Sequence, residues 1–152
     1  MCNKASGAYI SYQWVQSKTN ASVSDKGKVR VTNVERTIVD CIKDFDKVGG
    51  LKELLHCLFM VTFADEKKLL EYLLAYNSQF LYQRAGYVLS HFKKSMKLTE
   101  HFFSECKIHI HKSKRYLYDG IQYESPVYSG KWQIYVLNDL MRIINEGGDA
   151  IV

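Results

Sequence analysis

The sequence predicts an α+β fold: a cluster of four to five helices packed on one face of a small mixed β-sheet, in a single domain spanning residues 1–152. Three observations lead there. Apolar residues recur at helical spacing, behind capping residues, from about residue 32 to residue 107. Short β-branched and aromatic runs bracket those helices, at 29–31 and at 131–137. Hydrophobic residues make up 47% of the 152, with one proline, which suits a packed chain and not a disordered one. A chain of this length buries a sizeable core.

Residues 8–16 alternate, with Tyr9, Ser11, Gln13 and Val15 on one side and Ile10, Tyr12 and Trp14 on the other. That is the period of a strand with an aromatic-rich face. Residues 17–27 are polar and turn-rich, a loop that leads into the strand at 28–32 and closes a long antiparallel hairpin. Thr32 and Glu35 then have the spacing of a capping box, and Asn33 is a second candidate for the cap. Val34, Ile38, Cys41, Ile42 and Phe45 share one face of the helix that follows, and Arg36 and Asp40 pair four residues apart on another. Gly49-Gly50 ends it, and Leu51, Leu54, Leu55, Leu58 and Phe59 form the stripe of a second helix.

After a connector at Thr62-Phe63-Ala64, Asp65 caps a third helix with Leu69, Leu70, Leu73 and Leu74 inward. Asn77-Ser78 breaks it, and Ser78 caps a fourth helix running to about Lys94 with Phe80, Leu81, Ala85, Val88, Leu89 and Phe92 on one face. Gly86 lies inside that helix, where glycine costs roughly 1 kcal/mol relative to alanine, so close packing against a neighbour is expected. A fifth helix from Thr99 to about Lys107 turns Phe102, Phe103 and Cys106 inward. From 108 to 137 the chain reads as β-rich, with a turn at Asp119-Gly120 and a clear strand at 131–137, all joined to the N-terminal strands in one sheet. Asn138 caps a last helix bearing Leu140, Met141, Ile143 and Ile144, which Gly147-Gly148 terminates. The expected core holds Ile38, Ile42, Leu54, Leu58, Leu69, Leu73, Val88, Leu89, Trp132 and Ile134.

Two stretches carry a family resemblance. The run from Val29 to Ile42, followed by Gly49-Gly50 and a leucine-bearing helix, resembles the start of the C-terminal antitoxin domain of AbiEi-type proteins, the antitoxins of type IV, abortive-infection toxin–antitoxin systems. In that family a strand leads into a Ser/Asp-Pro-Glu-Arg-Thr-x-x-Asp helix. Glu35, Arg36, Thr37 and Asp40 match the pattern, and Val34 stands where the family has proline, a substitution the first helical turn tolerates. Gln83-Arg84-Ala85-Gly86-Tyr87-Val88-Leu89 resembles the family's Gln-Arg-Leu-Gly-Tyr-Leu-Leu helix, and it too follows a leucine-rich helix and an Asn-Ser break. The resemblance covers roughly residues 9–146.

It implies a non-catalytic antitoxin whose functional partner is a nucleotidyltransferase-like toxin, with no stable complex between the two. The family's N-terminal winged helix, which binds promoter DNA, has no counterpart in 1–152, so that role is not implied. The family brings no catalytic residue and no cofactor.

The charge of +5 is localised. Between Lys93 and Arg115 lie seven basic residues (Lys93, Lys94, Lys97, Lys107, Lys112, Lys114 and Arg115) against Glu100 and Glu105, and the remainder of the chain is neutral. These seven are expected to share one face, able to draw non-specific nucleic acid or an acidic partner, although charge runs are more commonly a solvated surface. A nucleic-acid-binding or transcriptional regulatory module using 93–115 is therefore the alternative reading. Tyr116, Tyr118, Tyr123, Tyr128 and Tyr135 follow the basic run; tyrosines beside lysines can stack on bases, but in strands cross-strand packing is the commoner use.

Other chemistries find little support. His109-x-His111, on a strand, would aim both rings to one side, yet no third or fourth zinc ligand has a matching spacing. His56 and Cys57 diverge around a helix and make no nucleophile–base pair. No Gly-x-Ser-x-Gly or phosphate loop is present. Cys2, Cys41, Cys57 and Cys106 lack paired metal-site spacing and read as reduced core thiols. No run approaches the roughly 20 apolar residues of a membrane span, and the start has no apolar signal core. A cytoplasmic, non-enzymatic protein is expected, without metal or cofactor and away from membranes.

Overall fold

The structure, a computed structural model, describes residues 23–26 and 29–145. The expected strand at 8–16 and the glycine stop at 147–148 lie outside them.

The first element is a hairpin. Strand β1 (Val23–Lys26) pairs antiparallel with β2 (Val29–Thr32), Val23 opposite Thr32 and Lys26 opposite Val29. Thus 23–26, expected to be loop, is strand. Ser24 and Asp25 are poor strand formers, and the backbone ladder, not side-chain propensity, makes the element.

Helix α1 (Val34–Lys43) follows at once. Its cap is Asn33, whose side chain accepts from the Arg36 N–H at 2.9 Å. The capping box does not form. Glu35 reaches away to accept from the Asp65 N–H at 3.0 Å, and the Thr32 hydroxyl meets that of Thr37 at 2.8 Å. A short 3₁₀ turn (Phe45–Val48) leads to Gly49 and Gly50, at φ 102° and 96°. Left-handed backbone at two successive residues suits glycine, and it swings the chain into α2 (Leu51–Phe59). Then come α3 (Glu66–Tyr76), α4 (Gln79–Ser90) and α5 (Glu100–Ile108). Asp65 and Ser78 cap α3 and α4 as expected, and Asn77 closes α3 in the left-handed conformation at φ 47°. Helix α4 stops at Ser90, short of Lys94, and a run of turns carries 91–97. Against the helices, α1 packs on α3 and α4, and α4 on α5.

The C-terminal part builds a second, separate sheet. Strands β3 (Arg115–Tyr116), β4 (Val127–Ser129) and β5 (Ile134–Val136) lie in the order β3-β5-β4, β3 parallel and β4 antiparallel to the central β5. The single sheet expected to include the N-terminal strands is therefore two: a hairpin and a mixed three-stranded sheet. Residues 107–114 are not strand; α5 continues to Ile108 and a loop follows. A four-residue helix α6 (Arg142–Asn145) ends the described chain, its Arg142 N–H held by Asp139, not Asn138.

All ten expected core residues are buried, each at most 4% exposed. The outer edges of the expected stripes are not: Val34, Phe59 and Leu74 stand more than half exposed, because each lies at the margin of its helical arc. Helices and mixed sheet are tied together through α4, where an alanine Cβ at Gly86 would fall 2.1 Å from the Trp132 ring. The close packing predicted for Gly86 is this contact.

Candidate functional site

The residues carrying the family resemblance are structural fastenings. In the first stretch, Glu35 caps the approach to α3, Tyr76 of α3 donates to Asp40 at 2.6 Å, and Asn33 donates to the Tyr72 hydroxyl at 2.7 Å. These bonds join α1 to α3. Arg36 is fully buried with its Nε 4.0 Å from Asp40, and its guanidinium nitrogens have no hydrogen-bond partner. The ion pair expected from the spacing thus forms at the limit of contact, inside the protein.

The second stretch joins α4 to the sheet and to α1. Gln83, fully buried, donates from Nε2 to the Trp132 and Gln133 carbonyls and to the Ser113 hydroxyl. Arg84 donates from Nε to the Leu117 carbonyl at 2.8 Å and from Nη1 to the Lys43 carbonyl at 2.8 Å. The second bond satisfies an orphan carbonyl at the C-terminus of α1 and sets a cation against that end of the helix dipole. The guanidinium lies between the Phe45 and Phe80 rings, 4.6 and 4.4 Å from their centroids, and burial pulls its pKa below the usual arginine range. Tyr87 donates to the Leu137 carbonyl, and burial raises its hydroxyl to about 12.

The seven basic residues of 93–115 fall into groups. Lys93, half-buried, pairs with Glu100, and the lysine holds that carboxyl below its ordinary range. Lys94 and Lys97 are exposed in the same turns, beyond the C-terminal end of α4. Lys112, Lys114 and Arg115 lie toward the other end. Gln79 at the start of α4 donates to the His111 carbonyl, and the Arg115 guanidinium sits 5.2 Å over Phe80. Between these ends runs a helix of 12 residues, about 18 Å. Lys107 is set apart over the Trp132 ring at 5.7 Å, matched by Lys131 at 5.8 Å. The basic run is a band broken by α4, more than one compact patch.

His109 and His111 part company. His109 caps the C-terminus of α5, its ring stacked on Tyr82 at 4.3 Å, while His111 is in the exposed loop. Among the described residues no group of three or more His, Cys, Asp or Glu is placed to hold a metal ion. Cys41 and Cys106 are free, with burial raising their thiols to about 11 and about 12. Cys57 is half-buried on α2. Cys41 and Cys57 both line an apolar groove of about 210 Å³ between α1 and α2.

One feature was hidden from the sequence. Register places Tyr116, Tyr135 and Tyr128 directly opposite one another across β3, β5 and β4. Their neighbours Ile134 and Val136 point into the core, so the three tyrosines occupy the outer face. Tyr116 and Tyr135 are stacked at 4.9 Å, and Tyr128 leans on Tyr135 at 5.0 Å. The tyrosines are visible in the sequence, but their alignment depends on a parallel pairing between strands about twenty residues apart.

Comparison with protein-family models, curated proteins and solved structures finds no match to this chain. No described helix is long and apolar enough to cross a membrane.

Proposed function

We propose that this chain is a non-catalytic antitoxin domain of the AbiEi type, acting against a nucleotidyltransferase-like toxin in the cytoplasm. The observation that carries the reading is the role of the resembling residues. Glu35 and Asp40 fasten α1 to α3, while Gln83, Arg84, Gly86 and Tyr87 fasten α4 to the sheet. Both stretches therefore match at positions where this fold uses the particular residue types, which supports a likeness of architecture and not of isolated strings.

The test is expression of this chain together with the nucleotidyltransferase-type protein encoded beside its gene. Restored growth supports the reading; arrest in the presence of folded, soluble chain overturns it, as does the lack of such a neighbouring gene. The exposed Lys112, Lys114 and Arg115 favour a second reading, a nucleic-acid-binding module. Changing all three to serine separates the two. Full neutralisation by the folded triple variant reduces these groups to a solvated surface.

A further inference from the structure

We propose that the outer face of the three-stranded sheet is a stacking platform for unpaired bases of single-stranded nucleic acid, built by Tyr116, Tyr135 and Tyr128 and served by Lys112, Lys114 and Lys131. This inference does not depend on the antitoxin reading.

The row of rings is continuous and ends in solvent. Tyr135, half-buried, is in the middle; Tyr116 and Tyr128, 39% and 40% exposed, stand at the two ends. A terminal ring of a stack exposes its outer face, and every base offers a π-face to meet it. Tyrosine spread on a sheet for packing alone would turn its area toward neighbours; here the two end rings leave theirs open. Tyr128 is also held in place, its hydroxyl donating to Gln133 Oε1 at 2.8 Å, and Gln133 Nε2 donates in turn to the Gly130 carbonyl at 3.2 Å. A ring fixed before binding loses less rotamer entropy when a base arrives.

Ammonium groups lie on the segments that flank the row. Lys114 lies two residues before Tyr116, within about 7 Å along extended chain. Lys112 precedes it in the same loop, and Lys131 stands in the turn joining β4 to β5; all three are exposed. The acids around the row are Asp119 and Glu124, whose carboxylate accepts from the Tyr118 hydroxyl at 2.8 Å, and Lys131 also lies in the field of Glu100. Rings for bases beside ammonium groups for phosphates fit a single strand. A duplex stacks its bases internally and presents its backbone and base edges but no base faces, so it gains nothing from the rings.

Binding is measured by anisotropy with a labelled 12-nucleotide oligothymidylate, the matching oligouridylate, and a duplex of the same length. Expected are single-strand dissociation constants on the order of 10 μM at about 50 mM salt, with the duplex clearly weaker. The two single strands distinguish RNA from DNA. With three phosphate contacts the logarithmic salt slope is about −2, and each of Lys112→Ser and Lys114→Ser lowers it by roughly 0.7. Tyr116→Leu and Tyr128→Leu keep apolar bulk but lose the π-face. Each is expected to weaken binding about 5- to 100-fold with the salt slope unchanged. Leucine variants that bind like the parent overturn the proposal, as does a duplex bound as tightly as the single strands. Sedimentation showing a dimer that Tyr128→Leu dissociates would instead make the face a contact between copies. Should a leucine variant fail to fold, Tyr116→Trp tests the same point: a larger ring tightens binding severalfold, and unchanged affinity overturns the platform.

Discussion

Gly86 shows how one absent side chain governs the joint between helices and sheet. Glycine inside a helix is ordinarily a defect, and alanine there would be worth up to about 1 kcal/mol. Here the added Cβ would meet three atoms of the Trp132 ring within 2.5 Å. Gly86→Ala is expected to reverse the usual sign and lower stability by about 1–3 kcal/mol in urea unfolding, because a buried indole that cannot shift must be displaced. A gain in stability would mean that Trp132 is not seated on α4. Buried ionisable groups give the residue scale a second test. Cys41, Cys106, Tyr82 and Tyr87 are all pushed upward by burial, to about 11, 12, 12 and 12. A folded pKa above the unfolded one means that the native state holds protons the unfolded chain has released. Stability is therefore full below about pH 9 and falls as pH rises toward 12. Denaturation midpoints between pH 8 and pH 11 should decline, and Cys106 should resist alkylation at pH 8 until the chain unfolds. Rapid labelling of native Cys106 would contradict its burial.

Among the elements, the start of α1 separates two capping schemes that the sequence alone leaves open. Because Asn33 is the cap and also bonds Tyr72, Asn33→Ala should cost about 1 kcal/mol or somewhat more, and Thr32→Ala distinctly less. Equal losses measured by thermal unfolding would restore the capping box. The sequence places all five longer helices, since apolar stripes and short-range caps are local signals. It fails where partners are distant. Glu35 abandons its own helix for the Asp65 amide 30 residues on, and no spacing rule sees that bond. Val23–Lys26 becomes a strand only because β2 lies opposite, and His109 reads as strand though helix α5 extends to meet it. The candidate site follows the same division. The lysines are evident by composition, whereas the tyrosine row exists only after the β3-β5 register is set.

For the molecule as a whole, one core runs from α1 through the helices to β5. Leu54 on α2 and Leu73 on α3 are both fully buried in it. Leu→Ala at either is expected to cost roughly 2–5 kcal/mol by chemical denaturation, the spread reflecting how far each cavity collapses. Losses under about 1 kcal/mol at both would mean the helices do not share this core. Charge acts at this scale too. The +5 excess is divided by α4 into a group past its C-terminus and another beside its first turn. The two groups lie at opposite ends of α4, and salt should screen both, weakening binding at the tyrosine row and the exposed Lys93–Glu100 pair alike.

The seat of Trp132 on Gly86 also has a consequence in time. Gln83 bonds carbonyls 49 and 50 residues further along the chain, and the slot over Gly86 is filled only when they arrive. A growing polypeptide that has reached Ile108 holds all five longer helices but lacks the indole that closes them. At about 5–20 residues per second, synthesis through Leu137 takes roughly another 1.5 to 6 seconds. For that interval the underside of α4 is uncovered, and the apolar slot over Gly86 stays open to other chains until Trp132 arrives.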